Sequence, residues 1–460
     1  MAVRFTEFSE RYIPDAFVFA LLATGIVLAL GLAVARVSPQ VMVAGWGKGF
    51  WELIPFSMQM SLIIIGGYVV ATARPVFRLI QRIAAMPHTD RGATVLVAMF
   101  ALVTSWFNWG FSLIFGAILV KEISRRRPEA DYRALAASSL LGLGSVWAQG
   151  LSGSANLQMC TPEALQPAIR AIVSRGGLIP DGLIPLGKTV FLWQSLLTVA
   201  VEIAVVAVVA WFYTPSPDRA RGPAARAADI ETAPRDDEPV HATAPGEWLE
   251  YKPWLNLLIA AMGTGYMANS IHNAHGLQFV ITLNNINFCF LMLGILLHWT
   301  PYRLMKAFRD ATPSVWGVLL QFPFYAGIAG MITYSGLNAY IAQFFVSVSS
   351  HTTFAPLISV YSTILGIFVP SGGSKWVIEA PYLLAAAHDL KIHLGWVVAV
   401  YNLAEALANL IQPFWMLPTL AILGLRARDV MGYTFIVFLV LLPVVILMVT
   451  LLALTLRYPL

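Results

Sequence analysis

The chain has 460 residues, of which 58% are hydrophobic and 12% charged, and its formal net charge at pH 7 is +5. The apolar residues form long runs that leave almost nothing for a soluble domain, and the basic residues cluster in short loops beside these runs, which argues against nucleic-acid binding. The two cysteines have no metal or redox spacing, and we expect no cofactor. We therefore predict an all-α polytopic membrane protein with a single membrane domain in a lipid bilayer.

The first two apolar runs, residues 17–37 and 53–73, are long enough to span a bilayer. The first run is longer than the apolar part of a signal peptide and no cleavage site follows it, so we predict that it stays as a membrane helix. Arginines follow the second run at positions 74, 78, 82 and 91. Because basic loops lie on the cytoplasmic side, this loop and the N-terminus are predicted to be cytoplasmic.

Residues 93–120 are too long for one span and are interrupted at Asn108-Trp109-Gly110. Basic clusters flank the segment on both sides, which predicts a re-entrant hairpin that enters from the cytoplasm and returns to it, with the interruption at its tip. Residues 134–161 are broken at Ser152-Gly153-Ser154 and are predicted to form one discontinuous spanning helix. An outer loop and a spanning helix at residues 189–213 complete this half.

Residues 214–252 differ in composition from the rest of the chain, with Pro, Ala, mixed charge and few large apolar side chains. Such a composition is typical of disordered linkers, and we predict a disordered cytoplasmic linker here. It divides the chain into a first membrane repeat, residues 1–213, and a second membrane repeat, residues 253–460.

The second half begins with three predicted spans, at residues 253–267, 280–299 and 314–334. Two half-length apolar runs then flank Val-Pro-Ser-Gly-Gly-Ser-Lys at residues 369–375, a sequence whose backbone groups and lysine lipid cannot satisfy. We predict a second re-entrant hairpin here, entering from the outer face. A broken span at residues 396–425, interrupted between Asn409 and Gln412, and a last span at residues 433–456 follow.

Both halves therefore place a hairpin, a broken helix and a closing helix in the same order. Two spans precede the first hairpin and three precede the second, so the halves are predicted to be inverted-topology repeats. Such repeats with discontinuous helices are typical of secondary transporters, whose substrate site lies near the bilayer midplane where the breaks meet. A passive channel would not need paired breaks.

The residue types at the four breaks favour a small anion. Glycines let backbone amides approach a ligand, half-helix N-termini carry partial positive charge, and Ser, Asn and Gln add short hydrogen bonds, which together suit a carboxylate. Exposed carbonyls near Asn108, Ser152, Ser371 and Asn409 offer ligands for Na⁺, and the sequence leaves Na⁺ and H⁺ open as the coupling ion. The predicted substrate-binding residues are Asn108, Gly110, Ser152, Gly153, Ser154, Ser371, Gly372, Gly373, Ser374, Lys375, Asn409 and Gln412.

Lys375 is the most informative single residue of the predicted site, because a lysine at bilayer depth needs a counter-charge. That partner is either Glu379, one helical turn along the chain, or the carboxylate of the substrate, and the sequence leaves both open. Glu405 lies one turn before Asn409 and is a candidate proton or cation site by the same reasoning. Glu379 and Glu405 are therefore predicted as coupling or counter-charge residues.

At these breaks the sequence resembles the bacterial short-chain fatty acid transporters, part of the ion transporter superfamily. The resemblance implies cation-coupled uptake of short-chain fatty acids or related small monocarboxylates across the bacterial inner (plasma) membrane, with an elevator-like movement against a scaffold. The matching stretches follow one another along nearly the whole chain except the linker: Phe50-Trp-Glu-Leu, Asn108-Trp-Gly-Phe, Gly116-Ala, Leu151-Ser-Gly-Ser, Gln321-Phe-Pro-Phe-Tyr-Ala-Gly-Ile, Val369-Pro-Ser-Gly-Gly, Gln412-Pro-Phe-Trp, Leu417-Pro and Arg428-Asp-Val-Met-Gly-Tyr.

The second tip departs from the family pattern. Members associated with acetoacetate and butyrate uptake resemble Gly-Gly-Gly-His-Trp-Val-Ile-Gln, whereas residues 372–379 read Gly-Gly-Ser-Lys-Trp-Val-Ile-Glu. This charged pair leaves the substrate open, with a transporter of another small organic anion, a hydroxy acid or a dicarboxylate, as the second interpretation. A membrane-embedded enzyme is the third, although no two-His metal spacing or nucleophile–base arrangement supports it. The oligomeric state also stays open, a homodimer included.

Overall fold

The computed structural model describes residues 16–222, 244–273, 283–369, 371–412 and 414–460, and every regular element in these residues is a helix. The first half contains α1 (Ala16–Ala33), α2 (Pro39–Glu52), α3 (Ile54–Ala71), α4 (Arg74–Ala84), α5 (Asp90–Phe107), α6 (Trp109–Arg126), α7 (Tyr132–Leu140), α8 (Ser154–Cys160), α9 (Pro167–Val173) and α10 (Trp193–Tyr213). The second half contains α11 (Pro245–Tyr251), α12 (Trp254–Asn273), α13 (Leu283–His298), α14 (Pro301–Ala311), α15 (Trp316–Tyr334), α16 (Leu337–Val348), α17 (Phe354–Phe368), α18 (Gly372–Asp389), α19 (Leu394–Ala408), α20 (Leu417–Leu423) and α21 (Ala427–Ala453).

Five of the described helices, α3, α5, α10, α15 and α21, are long and apolar enough to cross a membrane. The longest is α21, with 27 residues and no charged side chain after Asp429. Further apolar helices of 10–17 residues accompany them, among them α13, α16, α17 and α19. The prediction of an all-α polytopic membrane protein is therefore confirmed.

Six described helices, α2, α4, α9, α11, α14 and α16, lie where the sequence predicts no membrane helix. In α4 the buried residues Phe77, Ile80 and Ala84 are spaced at helical intervals, and three arginines lie at other positions of the helix. The basic residues of α4 and α14 favour loops beside the membrane, whereas the spacing of their apolar residues supports amphipathic helices.

Glycines bring α2 and α15 into backbone contact. A Cβ at Gly49 would lie 2.4 Å from Ala326 O, and a Cβ at Gly330 would lie 2.2 Å from Gly45 O. No side chain larger than hydrogen fits at such distances, so only glycine permits this approach. The glycines that favour this packing also make α2 resemble a loop in the sequence.

The first hairpin consists of α5 and α6, two helices of 18 residues joined at Asn108. The backbone of Asn108 is extended (φ −154°, ψ 113°), and its side-chain oxygen accepts a hydrogen bond from Phe111 N at 2.8 Å, which caps α6. The two arms contact each other where Ser112 Oγ donates to Ala101 O at 3.0 Å. The predicted hairpin with its tip at Asn108 is present.

The second hairpin consists of α17 and α18, and its break is shorter than the sequence predicts. Ser371 is extended (φ −152°, ψ 99°), and Lys375 N donates to Ser371 O at 2.8 Å, so the Gly-Gly-Ser-Lys segment forms the first turn of α18. This arm has 18 residues and is not half-length, because the helix includes the segment assigned to the break. The arms meet where Tyr361 OH and Tyr382 OH lie 2.8 Å apart, and Pro370 lies outside the described residues.

Both predicted broken helices are present. A 3₁₀ helix, Trp147–Gln149, lies between α7 and α8, and residues 409–416 separate α19 from α20. The two interruptions touch, since Asn409 Nδ2 donates to Leu143 O at 3.3 Å. Hairpin, broken helix and long helix thus occur in this order twice along the chain, and the inversion of one half relative to the other stays a prediction.

Residues 223–243 of the predicted linker lie outside the described residues. The flanks of the linker contain ordered contacts that its composition does not predict. On the first flank, Arg221 N donates to Asp131 Oδ2 at 3.0 Å and Tyr132 N donates to Arg221 O at 2.8 Å. On the second flank, Pro245–Tyr251 forms α11. The division of the chain into two repeats at this linker stays a prediction.

Candidate functional site

A cavity lies where the two hairpin tips meet the broken helices. It is narrow, with about 20 Å³ in which the centre of a water molecule fits, inside about 320 Å³ of space outside the protein atoms that includes open solvent. Hairpin tips and broken helices form most of its wall, and α3 and α15 form the rest. The lining residues are Met60, Trp109, Leu143, Trp147, Ser154, Val318, Phe322, Ser371, Gly372, Gly373 and Trp415. The breaks of both halves therefore surround one common space.

The first tip is attached to the first broken helix by two hydrogen bonds. Trp109 N donates to Ser152 Oγ at 3.1 Å, and Leu151 N donates to Trp106 O at 2.7 Å. Ser152 itself is fully buried and does not line the cavity. The tip contributes the side chain of Trp109 to the lining, at the N-terminus of α6.

The second tip brings backbone to the cavity at Ser371, Gly372 and Gly373. A Cβ at Gly373 would lie 2.6 Å from Phe56 Cε1, and one at Gly372 would lie 2.9 Å from Trp147 Cη2, so both glycines permit close packing around the tip. The side chain of Ser371 makes no capping hydrogen bond to α18. The first amides of α18 are thus left without a side-chain acceptor beside the cavity.

Two tryptophans that line the cavity carry buried hydrogen-bond donors. The indole nitrogens of Trp109 and Trp147 are buried and have no hydrogen-bond partner among the described residues. The two rings pack edge to face with their centroids 5.9 Å apart, and Trp415 packs on Trp109 at 5.2 Å. Buried indole N–H groups usually find an acceptor, so these donors favour a ligand with an acceptor atom.

Part of the wall is apolar. Met60 of α3 and Val318 and Phe322 of α15 contribute to it. The N-termini of α6 and α18 also border the cavity and carry partial positive charge. The cavity therefore combines positive potential from two helix N-termini with an alkyl-binding surface.

The amide side chains of the second broken helix join elements to one another. Asn409 Nδ2 donates to Leu143 O, and Gln412 Nε2 donates to Asn409 Oδ1 at 2.7 Å. Two turns earlier along α19, Asn402 Nδ2 donates to Asn156 Oδ1 at 2.9 Å. These hydrogen bonds join the broken helix of the first half to the broken helix of the second half.

Lys375 lies behind the second tip in a cluster of buried charges. Its Nζ lies 2.9 Å from Glu405 Oε2 and 3.4 Å from Glu379 Oε1, and it donates to Ser362 O at 2.7 Å. The side chains of all three charged residues are at most 1% exposed. The structure thus pairs Lys375 with Glu379, one of the two partners that the sequence allows, and adds Glu405 on a different helix.

Four of the residues predicted to bind substrate line the cavity: Ser154, Ser371, Gly372 and Gly373. The others lie outside its lining and cap, join or pack the surrounding elements: Asn108, Gly110, Ser152, Gly153, Ser374, Lys375, Asn409 and Gln412. A binding role for any of these residues stays a prediction.

The sequence analysis did not select the three tryptophans of the lining, Trp109, Trp147 and Trp415. Each lies within a few residues of a break, and this adjacency is the signal that could have identified them. Among the described parts of the chain, no three His, Cys, Asp or Glu side chains are grouped as a metal site would require. Sodium binding by backbone carbonyls near the breaks stays a prediction.

The family model described as "Short chain fatty acid transporter" matches residues 1–453. A protein of Escherichia coli (strain K12) named "Putative short-chain fatty acid transporter" is 37% identical over 432 residues, covering 93% of this chain and 94% of that protein. A protein of the same name from Haemophilus influenzae (strain ATCC 51907 / DSM 11121 / KW20 / Rd) is 34% identical over 430 residues, with coverage of 93% and 94%.

Two solved structures share the fold. The YdaH transporter of Alcanivorax borkumensis aligns with a TM-score of 0.59 at 14% identity, covering 96% of this chain and 98% of that chain. MtrF of Neisseria gonorrhoeae, described as illuminating a class of antimetabolite efflux pumps, aligns with a TM-score of 0.55 at 12% identity and 97% coverage of both chains. At such identities the likeness concerns the fold alone.

Proposed function

Because the chain belongs to the short-chain fatty acid transporter family, we propose that it is a secondary active transporter for cation-coupled uptake of short-chain fatty acids or related small monocarboxylates. The family and both relatives are transporters and not enzymes. The proposal places the protein in the bacterial inner membrane with its N-terminus and linker in the cytoplasm. The cavity between the hairpin tips is its substrate site.

The observation that carries this proposal is the combination of donors and apolar wall in one cavity. A carboxylate at the α18 N-terminus accepts hydrogen bonds from the amides of the first turn and from the Trp147 indole. The alkyl chain of the same substrate packs on Met60 and Phe322. A dicarboxylate would bring its second charge to this apolar wall at a large desolvation cost, which favours a monocarboxylate.

The pattern of contacts supports an elevator-like movement. Hydrogen bonds join the hairpins and broken helices to each other, as from Trp109 to Ser152 and from Asn402 to Asn156. At the cavity, by contrast, α3 and α15 meet the second tip through apolar side chains such as Phe56. An apolar contact without hydrogen bonds allows sliding at a lower cost than a polar one. Hairpins and broken helices therefore move as one body, called the mobile unit below, against α3 and α15.

Counterflow in proteoliposomes tests the proposal. Vesicles containing the purified protein and unlabelled butyrate are diluted into labelled butyrate, with and without gradients of sodium and protons. We expect transient accumulation of label above the level in protein-free vesicles, which measure passive entry of the neutral acid. Competition by acetate but not by succinate separates a monocarboxylate transporter from the alternative, a dicarboxylate transporter, and competition by lactate tests the hydroxy-acid alternative. Equal label in vesicles with and without the protein, for each of these acids, contradicts the proposal.

A further inference from the structure

The cluster of Lys375, Glu379 and Glu405 combines one positive and two negative side chains in a space without exposure to solvent. Lys375 Nζ lies within 3.4 Å of a carboxylate oxygen of each glutamate. Glu405 Oε2 lies 2.9 Å from the Lys375 ammonium, whereas Glu405 Oε1 has no hydrogen-bond partner among the described residues. Fully ionised, the cluster carries one uncompensated negative charge in a membrane protein interior, which is strongly unfavourable.

The groups around the cluster cannot neutralise this charge. The Lys375 ammonium lies over the Tyr401 ring, 4.6 Å from its centroid, and Ser362 donates its hydroxyl hydrogen to Glu379. The remaining titratable groups that face the cluster are Tyr361 of α17 and Tyr382 of α18, whose hydroxyls are hydrogen-bonded to each other. In the described residues around the cluster, Lys375 is the one cation.

We propose that Glu379 and Glu405 share one exchangeable proton, and that this proton is the coupling ion of the transporter. This inference rests on the proposed function and names its ion. A proton on either carboxyl makes the cluster neutral, and the two carboxyls titrate as a pair. Sodium is disfavoured at this position, because the ammonium of Lys375 already lies between the carboxylates and would repel a second cation.

The cluster lies next to the substrate cavity, with Gly372 between them. Tyr401 OH donates to the carbonyl oxygen of Gly372, a residue that lines the cavity, at 2.6 Å. A Cβ at Gly372 would lie 3.1 Å from Glu405 Cγ and 2.9 Å from Trp147, so the same glycine separates both sites. A substrate carboxylate at this glycine adds negative charge beside the cluster. Substrate binding therefore promotes protonation, and by linkage protonation promotes substrate binding.

Proton uptake on butyrate binding tests this inference. The purified full-length protein in weakly buffered detergent is mixed with butyrate, and the protons taken up are measured with a pH indicator beside the butyrate affinity. We expect up to one proton per bound butyrate and an affinity that rises by up to about tenfold per unit fall in pH, with no dependence on sodium. Glu405→Gln and Glu379→Gln each leave a neutral cluster with Lys375. Each should bind butyrate without proton uptake and without pH dependence.

Glu202→Gln is the matched control. Glu202 is fully buried in α10, where it accepts a hydrogen bond from Gln149 Nε2, and it does not touch the cluster. We expect this variant to keep the proton uptake. Butyrate binding without proton uptake in the wild type, or unchanged uptake in both cluster variants, overturns the inference.

A measurement without substrate separates this inference from the proposed function. In the substrate-free wild type, the infrared carbonyl stretch of a protonated carboxylic acid should appear as the pH is lowered, and this change should be absent from Glu405→Gln and Glu379→Gln. If this band is present but butyrate does not bind, the cluster holds its proton and the proposed substrate is wrong. If the spectra of wild type and both variants are identical in this region, the shared proton is ruled out.

Discussion

At the scale of single residues, Trp147 is the clearest test of the substrate site, because it offers a buried donor without a partner beside the second tip. Replacing Trp147 with Phe removes the indole N–H and keeps an aromatic ring in the wall. A hydrogen bond to a charged group contributes about 1.5–3 kcal/mol. We therefore expect Trp147→Phe to raise the Kd for butyrate about tenfold to a hundredfold, measured by isothermal titration calorimetry.

Trp106 provides the control for this substitution. Its indole nitrogen is also buried without a hydrogen-bond partner among the described residues, but its side chain does not line the cavity. Trp106→Phe should leave the butyrate affinity within about twofold of the wild type. Equal losses in both variants would mean that Trp147 acts through packing and not through a contact with the substrate.

Lys375 permits a second test at this scale, between a structural and a substrate-binding lysine. Because its ammonium pairs with two buried carboxylates, Lys375→Ala leaves both without a counter-charge and should lower the free energy of unfolding by about 3–5 kcal/mol. Thermal unfolding in detergent measures this loss. The double variant Lys375→His/Glu379→Gln, which restores the neutral family pattern, should recover most of it. Unchanged stability of Lys375→Ala with lost butyrate binding would instead place the lysine at the substrate.

At the scale of elements, the elevator-like movement predicts that a cross-link between α3 and the first tip stops transport. A Cβ at Gly110 would lie 3.3 Å from Ile64 Cα, close enough for a disulfide between cysteines at these positions. In a background without Cys160 and Cys289, oxidation of Ile64→Cys/Gly110→Cys should abolish butyrate counterflow, and reduction should restore it.

A cross-link inside the mobile unit is the control. Gly116 of α6 and Ser139 of α7 are both in this unit, and a Cβ at Gly116 would lie 3.0 Å from Ser139 Cβ. Oxidation of Gly116→Cys/Ser139→Cys should leave counterflow intact. Continued counterflow with the Ile64–Gly110 link closed would show that the first tip does not move against α3.

The sequence predicts the elements whose signal is local and misses those whose signal is tertiary. Polar and glycine interruptions in apolar runs identify both hairpins and both broken helices, since such residues are tolerated only away from lipid. The spacing of Lys375 and Glu379 on one helix makes their pairing one of the two possibilities that the sequence leaves open. The pairing of Lys375 with Glu405 depends on how α18 packs on α19, which no local pattern encodes. The same holds for the tryptophans, which meet only after the breaks converge.

At the scale of the whole molecule, the inverted repeats predict that the loops beside the two hairpins lie on opposite faces of the membrane. Glu129 follows the first hairpin and His351 precedes the second, and both are exposed. In intact cells, a membrane-impermeant maleimide should label His351→Cys, and it should label Glu129→Cys only after lysis. Labelling of both positions from the same side would contradict the inversion.

The single lysine between Glu379 and Glu405 also sets the electrical balance of the transport cycle. With neither proton nor substrate bound, the cluster carries one net negative charge. With both bound, the cluster and the substrate together again carry one net negative charge, because the proton offsets the charge of the substrate carboxylate. In the proposed proton-coupled elevator cycle, the mobile unit therefore carries the same charge in both directions. The membrane potential does work of about 2.3 kcal/mol per 100 mV on each elementary charge that crosses, and this work cancels over a full cycle. The butyrate concentration ratio across the membrane then follows the pH difference, at about tenfold per pH unit. A membrane potential imposed without a pH difference drives no butyrate accumulation.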